Sequence, residues 1–163
     1  MAEYKVTDNI NIEGARLMYR NFSGKETEYN RAGDRNFCVA IPTSKMAEKL
    51  REDGWNVKIR APKEEGDEPT YYIQVAVKSS PIPYTAWLVT RKNKTLLTDE
   101  SIGVLDHAEI KNVDLTIRPY NWTTRHGSGV KAYLKTMYVV IEEDAFAHKY
   151  AEEEYPEEDV PWN

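Results

Sequence analysis

Val113-Asp114-Leu115-Thr116-Ile117-Arg118-Pro119 and Val130-Lys131-Ala132-Tyr133-Leu134-Lys135-Thr136-Met137 decide the fold. In the first run Val113, Leu115 and Ile117 alternate with polar residues, the period of a strand with one face in a core and the other in water. Thr116 and Arg118 then lie on the wet face, and an unbroken strand would add Tyr120 and Trp122 to it. In the second run Lys131, Tyr133 and Lys135 share a face, placing a ring between two cations. The alternation predicts long strands over Ala108–Pro119 and Val130–Glu142, joined by a loop containing Gly127-Ser128-Gly129.

Shorter elements surround this pair. Ile10, Ile12, Leu17 and Tyr19 mark a strand interrupted at Gly14, where a glycine signals a bulge. Residues Ser23 to Arg35 are polar and read as a long loop, followed by a buried strand Phe37-Cys38-Val39-Ala40-Ile41. Pro42-Thr43-Ser44 opens a helix through Asp53, with Met46, Ala47 and Leu50 at helical spacing and Gly54 as its stop. Trp55, Val57 and Ile59 alternate as a half-exposed strand, with Phe37 and Trp55 assigned to the core. Tyr71, Ile73, Val75 and Val77 alternate again, leaving Tyr72 with Gln74 toward solvent. Trp87–Thr90 and Thr95–Leu97 form a hairpin across Lys92-Asn93-Lys94. Thr98 or Asp99 caps a short helix to Leu105, and Asp144–Ala151 makes a last helical turn.

The 163-residue chain is long enough for one domain with a real core. Its single cysteine, Cys38, excludes an internal disulfide and fits a reducing compartment. The first residues lack a signal-peptide pattern and no apolar run reaches membrane-spanning length, so the expected location is cytoplasmic, without membrane association. Six acids (Glu152, Glu153, Glu154, Glu157, Glu158 and Asp159) and no Lys or Arg fall in the final thirteen residues. Without them the chain has 22 bases against 21 acids, so its net charge of -5 belongs to the tail. A near-neutral body binds a polyanion if its bases are clustered.

They are clustered, and rings lie among them. Arg16, Tyr19, Arg20, Phe22, Lys25, Tyr29, Arg31 and Arg35 face only Glu26, Glu28 and Asp34. Between Lys111 and Lys135, Arg118, Tyr120, Trp122, Arg125, Lys131, Tyr133 and Lys135 accompany one acid, Asp114. Lys58 and Arg60 extend the basic set. Cations that track phosphates, mixed with flat rings that stack unpaired bases, are what a single-strand groove requires. A solvated sheet face with lids over its core would show similar residues.

Enzymatic signatures are missing. His107, His126 and His148 are scattered without metal-ligand spacing, and no phosphate-cradling Gly-x-x-x-x-Gly-Lys-Ser/Thr loop occurs. Glu64-Glu65-Gly66-Asp67-Glu68 reads as a solvated turn rather than a divalent-ion loop. Glu109 and Asp114 show no convergence of the kind a nuclease needs. No catalytic residue, metal or cofactor is expected.

The segment Glu157-Glu158-Asp159-Val160-Pro161-Trp162 joins acids to an aliphatic-Pro-aromatic hook. It resembles the C-terminal tail of bacterial and phage single-stranded DNA-binding proteins, although Asn163 follows the aromatic here. A merely solubilising tail would share the composition. Gly33-Asp34-Arg35-Asn36-Phe37-Cys38-Val39, Asp53-Gly54-Trp55-Asn56-Val57-Lys58 and Gly129-Val130-Lys131-Ala132-Tyr133-Leu134-Lys135-Thr136-Met137 resemble phage proteins grouped with the same family. Many strands with a few short helices read as a mainly β chain, a partly closed β-barrel or a sandwich, and the resemblance implies the oligonucleotide-binding (OB)-like, partly closed barrel. Periodicity alone does not separate such a barrel from another small antiparallel fold.

The expected organisation is one OB-like nucleic-acid-binding domain over 1–150 and a disordered acidic tail over 151–163. The expected role is largely sequence-independent coating of single-stranded DNA in phage replication or recombination, in the host cytoplasm. The tail would recruit replication or recombination proteins, and a homo-oligomer is left open. The competing reading is a non-enzymatic phage adaptor that occupies a host factor. The residues expected on the strand are Arg16, Tyr19, Arg20, Phe22, Arg31, Arg35, Lys58, Arg118, Tyr120, Trp122, Arg125, Lys131, Tyr133 and Lys135.

Overall fold

A computed structural model describes residues 6–141. Its strands are β1 Ile10–Ile12, β2 Leu17–Asn21, β3 Asn36–Ala40, β4 Lys58–Arg60, β5 Thr70–Ala76, β6 Thr85–Val89, β7 Lys94–Leu97, β8 Ile110–Thr124 and β9 Gly127–Ile141. Helix α1 covers Ser44–Asp53, and a 3-10 helix covers Ile102–Asp106. The expected turn at 144–151 and the tail lie outside the described residues.

The strands run in the order β1-β8-β9-β5-β3-β2, with β4 added to β5 and the β6–β7 hairpin added to β9. The two ends of this order are halves of one bent segment. Ala15 N–H still donates to Val113 O of β8 at 2.7 Å, while Arg16 O already accepts from Ala40 N–H beyond it at 3.0 Å. The bend follows Gly14, whose φ of +61° is a left-handed conformation that side chains resist. The segment thus curls the sheet round on itself without completing the ladder, giving the mainly β, partly closed OB-like barrel that the alternation and tail suggested.

Phe22, Phe37, Val39, Val75, Val113, Ile117, Leu134, Met137 and Val139 fill the interior. Phe22 and Phe37 stack at 4.9 Å between ring centroids. Fully burying one such side chain is worth about 1.5–3 kcal/mol. Helix α1 is bounded by Thr43, whose hydroxyl accepts from Met46 N–H at 3.1 Å, and by Gly54 in the left-handed conformation.

The central hairpin is longer than its alternation predicted. β8 runs through Tyr120 and Trp122 to Thr124, and Gly127, Ser128 and Gly129 belong to β9 rather than to a loop. The long ladder pairs Tyr120 with Lys131 and Trp122 with Gly129. Pro119 is tolerated because it lies past the β1 ladder, where β8 has a single partner strand.

Two other expectations need correction. Trp55 and Val57 are buried ahead of the three-residue β4, and Ile59 within it is exposed. Neither Thr98 nor Asp99 caps a helix through its side chain. The Thr98 carbonyl accepts from Ser101 and Ile102, whereas the Asp99 carboxylate accepts from Ser79 Oγ at 2.8 Å and Tyr84 Oη at 2.7 Å.

β9 changes partners halfway along. It pairs with β5 at Ala132 and Tyr133, then with β6 from Thr136 to Val140. At the handover its register on β8 jumps from Ile117↔Leu134 to Thr116↔Thr136, leaving Lys135 as an extra residue. Inward positions shift phase there, from Val130, Ala132 and Leu134 to Met137 and Val139.

Candidate nucleic-acid interface

The outward row of β8 and β9 carries the second basic-aromatic cluster. Tyr120 and Tyr133 stack with ring centroids 4.8 Å apart and planes 6° from parallel. The Arg118 guanidinium lies 4.9 Å from the Tyr133 ring centre. Tyr133 is thereby only 7% exposed, while Tyr120 retains 36%. Of the two expected rings, Tyr120 is therefore the more open, and Tyr133 is packed behind it under Arg118. Burial raises the Tyr133 pKa above the usual phenol value, which the nearby Tyr120 reinforces and Arg118 opposes.

Trp122 lies across the strand beside it. A Cβ on Gly129 would stand 2.8 Å from Trp122 Cζ2, so the half-buried indole occupies space that any side chain at 129 would take. Lys131 and Lys135 are exposed on this face, Lys135 at the bulge, and Arg125 is exposed at the hairpin turn. Nε and Nη2 of Arg118 are buried without a hydrogen-bond acceptor. Exposed cations (Lys131, Lys135 and Arg125) beside a stacked ring pair suit a phosphate and its neighbouring base.

The same outer surface continues over β5, β3 and β2. Tyr19, 59% exposed, adopts a positive φ of 50° at the β2 irregularity and meets Tyr72 edge-on at 6.0 Å. Arg60 Nη1 donates to Tyr19 Oη at 3.4 Å, and Lys58 Nζ donates to Gln74 Oε1 at 3.5 Å. Below them Cys38 is buried on this outer side of β3; burial pushes its thiol pKa up, and Lys58 pulls the other way.

Between these two regions opens a cleft of about 410 Å³. Tyr29, Arg31, Arg35, Lys78 and Lys131 line it, with Asn36, Asn56 and Gln74; Asp34 is the acid among its lining residues and pairs with Arg31 at 3.5 Å. The 23–35 loop that forms one wall is shaped by Asn30. Its Nδ2 donates to the carbonyls of Lys25, Arg31 and Asp34, and its Oδ1 accepts from Asn36.

Three expected contacts fall elsewhere. Phe22 is 0% exposed and has no face to offer, so its place is the core. Its backbone N–H is held by the Asp106 carboxylate at 2.6 Å. Arg20 Nη1 donates to the Leu105 and Ala108 carbonyls at 2.8 and 2.9 Å, a clamp on the end of the 3-10 helix. Arg16 is exposed in a separate depression shared with His107, Glu109 and Lys111. Conversely, Gln74, Asn36, Asn56 and Lys78 also line the cleft, and no local motif marks a wall built from four separate segments. Among the described residues no group of three or more His, Cys, Asp or Glu could hold a metal ion.

Comparison with known proteins bears on the family and the fold. Residues 1–161 match the family model described as "Putative phage ssDNA-binding domain". Among solved structures, the chain is similar to the single-stranded DNA-binding protein from bacteriophage Enc34 at 12% identity and a TM-score of 0.52, covering 85% of this chain and 83% of that one. It is similar to the same protein in complex with ssDNA at 13% identity and a TM-score of 0.54, covering 85% and 89%. At such identities these likenesses speak for the fold alone. No curated protein matches the sequence. With the family model spanning nearly its whole length, the chain belongs to the phage ssDNA-binding domain family.

Proposed function

We propose that the protein coats single-stranded DNA in phage replication or recombination, largely irrespective of sequence, through the outer face of β8 and β9 and the cleft beside it. Single-strand binding is the function of its family. The observation that supports this surface is the Arg118–Tyr133–Tyr120 stack with Lys131 opposite Tyr120, which puts phosphate-binding and base-stacking groups side by side. Trp122, Arg125 and Lys135 extend the surface toward the hairpin turn; Arg31, Arg35, Lys58 and Tyr19 extend it across the cleft. The protein acts as a binder and not as an enzyme, in the host cytoplasm. No helix among the described residues is long and apolar enough to cross a membrane.

Residues 1–150 form the binding domain, and the acid-rich 151–163 segment recruits partner proteins through Val160-Pro161-Trp162. Because its six acids also compete with phosphate at low salt, removing 152–163 raises affinity for single strands and abolishes partner capture. Trp162→Ala abolishes capture alone.

The deciding experiment is a salt titration of binding to a fluorescent oligo-dT. For Z neutralised phosphates, log K falls against log salt with a slope of about -0.7Z. A flat or absent response would mean that the face serves another ligand, as an adaptor would.

A further inference from the structure

We infer that the cleft takes up one unstacked nucleobase of the bound strand and reads its edge, which adds a base preference to otherwise sequence-tolerant binding. This inference rests on the single-strand reading above. The cleft exists because β5 shares one edge between two strands: β4 pairs with residues 70–72 and β9 with 75–76. Ile73 and Gln74 lie at the gap between those ladders, where the neighbouring strands part. The resulting volume of about 410 Å³ falls within the roughly 300–1,000 Å³ of small-ligand sites.

Its position matches the strand's path. Lys131 lines the cleft and is the cross-strand partner of Tyr120, so a strand stacked on Tyr120 passes the opening. Arg35, also in the lining, has a buried Nε without an acceptor.

Two amides give the cleft a hydrogen-bond sense, set closely at Asn36 and by a longer 3.5 Å contact at Gln74. Asn36 Nδ2 is committed to Asn30 Oδ1 at 2.8 Å and to Asp34 O at 3.2 Å, which leaves Oδ1 as its acceptor. Gln74 Oε1 accepts from Lys58 Nζ, which leaves Nε2 as its donor. Both residues point outward from adjacent strands β3 and β5. Thymine presents acceptor, donor, acceptor along its pairing edge (O4, N3–H, O2); cytosine presents donor, acceptor, acceptor. For a base entering in one orientation, a donor and acceptor that meet thymine O4 and N3–H meet cytosine N4–H and N3 with the senses reversed, so the pair separates the two. Stacking on Tyr120 scarcely separates two pyrimidines, so a difference between them reports on the cleft.

The test compares oligo-dT with oligo-dC of equal length at one salt concentration, by fluorescence anisotropy. The wild-type affinities are expected to differ about five-fold or more, within the range of one well-placed pair of edge contacts. Gln74→Leu should bring the ratio close to one, and Gln74→Glu, which replaces the donor by an acceptor, should abolish or invert it whatever its effect on overall affinity. Gln74 is exposed, so both variants keep the core intact. Equal wild-type affinities, or a ratio that survives both substitutions, would overturn the base-reading cleft while leaving single-strand binding in place. Failure of wild type to bind either oligomer would overturn the single-strand reading itself.

Discussion

Tyr120 and Tyr133 lie face to face, 4.8 Å apart, yet they are not equivalent, because only Tyr120 keeps an open side. Tyr120→Ala should therefore weaken oligo-dT binding by about 1–3 kcal/mol with little change in Tm. Tyr133→Ala should weaken binding and also destabilise the fold, by roughly 3 kcal/mol, since it removes a buried ring. Titration together with thermal melting separates the two. Equal melting losses would show that the pair shares one structural role.

Lys131 tests the phosphate track. Lys131→Gln should lower affinity for every base composition alike and should reduce the salt slope by about one phosphate contact. An effect restricted to one homopolymer would place Lys131 against a base edge instead.

Gly129 tests how Trp122 is seated. Gly129→Ala puts a methyl 2.8 Å from the indole, which must move off β9. The expected result is a red-shifted tryptophan emission and a loss of affinity close to that of Trp122→Ala. Unchanged emission would show that the strand backbone yields and the ring stays.

Phe22 separates core from surface. Phe22→Ala should cost about 3–5 kcal/mol in chemical denaturation, because the ring is fully enclosed and stacked on Phe37. Material still folded should bind single strands like wild type.

The Asp99–Tyr84 pair makes stability depend on pH at both ends. Hydrogen bonds from Tyr84 and then Ser79 hold the Asp99 carboxyl below its ordinary value of 3.8, although partial burial pushes the other way. Its contribution is thus present above that value and is lost as pH falls through the lower, folded-state pKa. Tyr84 is displaced upward, first by burial and then by its bond to Asp99. Its contribution is complete below the ordinary phenol value of 10.0 and is lost as pH rises toward the higher, folded-state value. Asp99→Asn should flatten the acid limb of a denaturation-versus-pH profile. A profile identical to wild type below pH 4 would show that the pair is not linked to folding.

Local chemistry determined a great deal of this protein in advance. Period-two alternation marked β5, β8 and β9, because facing in and facing out is a property of neighbouring residues, and a continuous apolar run marked β3. Thr43 and Gly54 bounded α1, Gly14 marked an interruption that the structure makes a bend between β1 and β2, and the basic-aromatic runs named Arg118, Tyr120, Lys131 and Tyr133 as a group. The family was legible in the tail Glu157–Trp162 and in the stretches 33–39, 53–58 and 129–137.

Tertiary structure decided what depends on pairing between distant segments. Whether Phe22 lies in the core or on the groove turns on which side of the sheet β2 presents after its irregularity, and that follows from its register on β3. Arg20 became a clamp because the 3-10 helix delivers two carbonyls to it from more than eighty residues away. Which tyrosine is open and which is supporting depends on Arg118 and Tyr133 meeting across the hairpin. The cleft needs β4 and β9 to divide one edge of β5, bringing together residues 36, 56, 74 and 131. Strand register is a non-local quantity, set by how whole faces pack, so no window of sequence contains it.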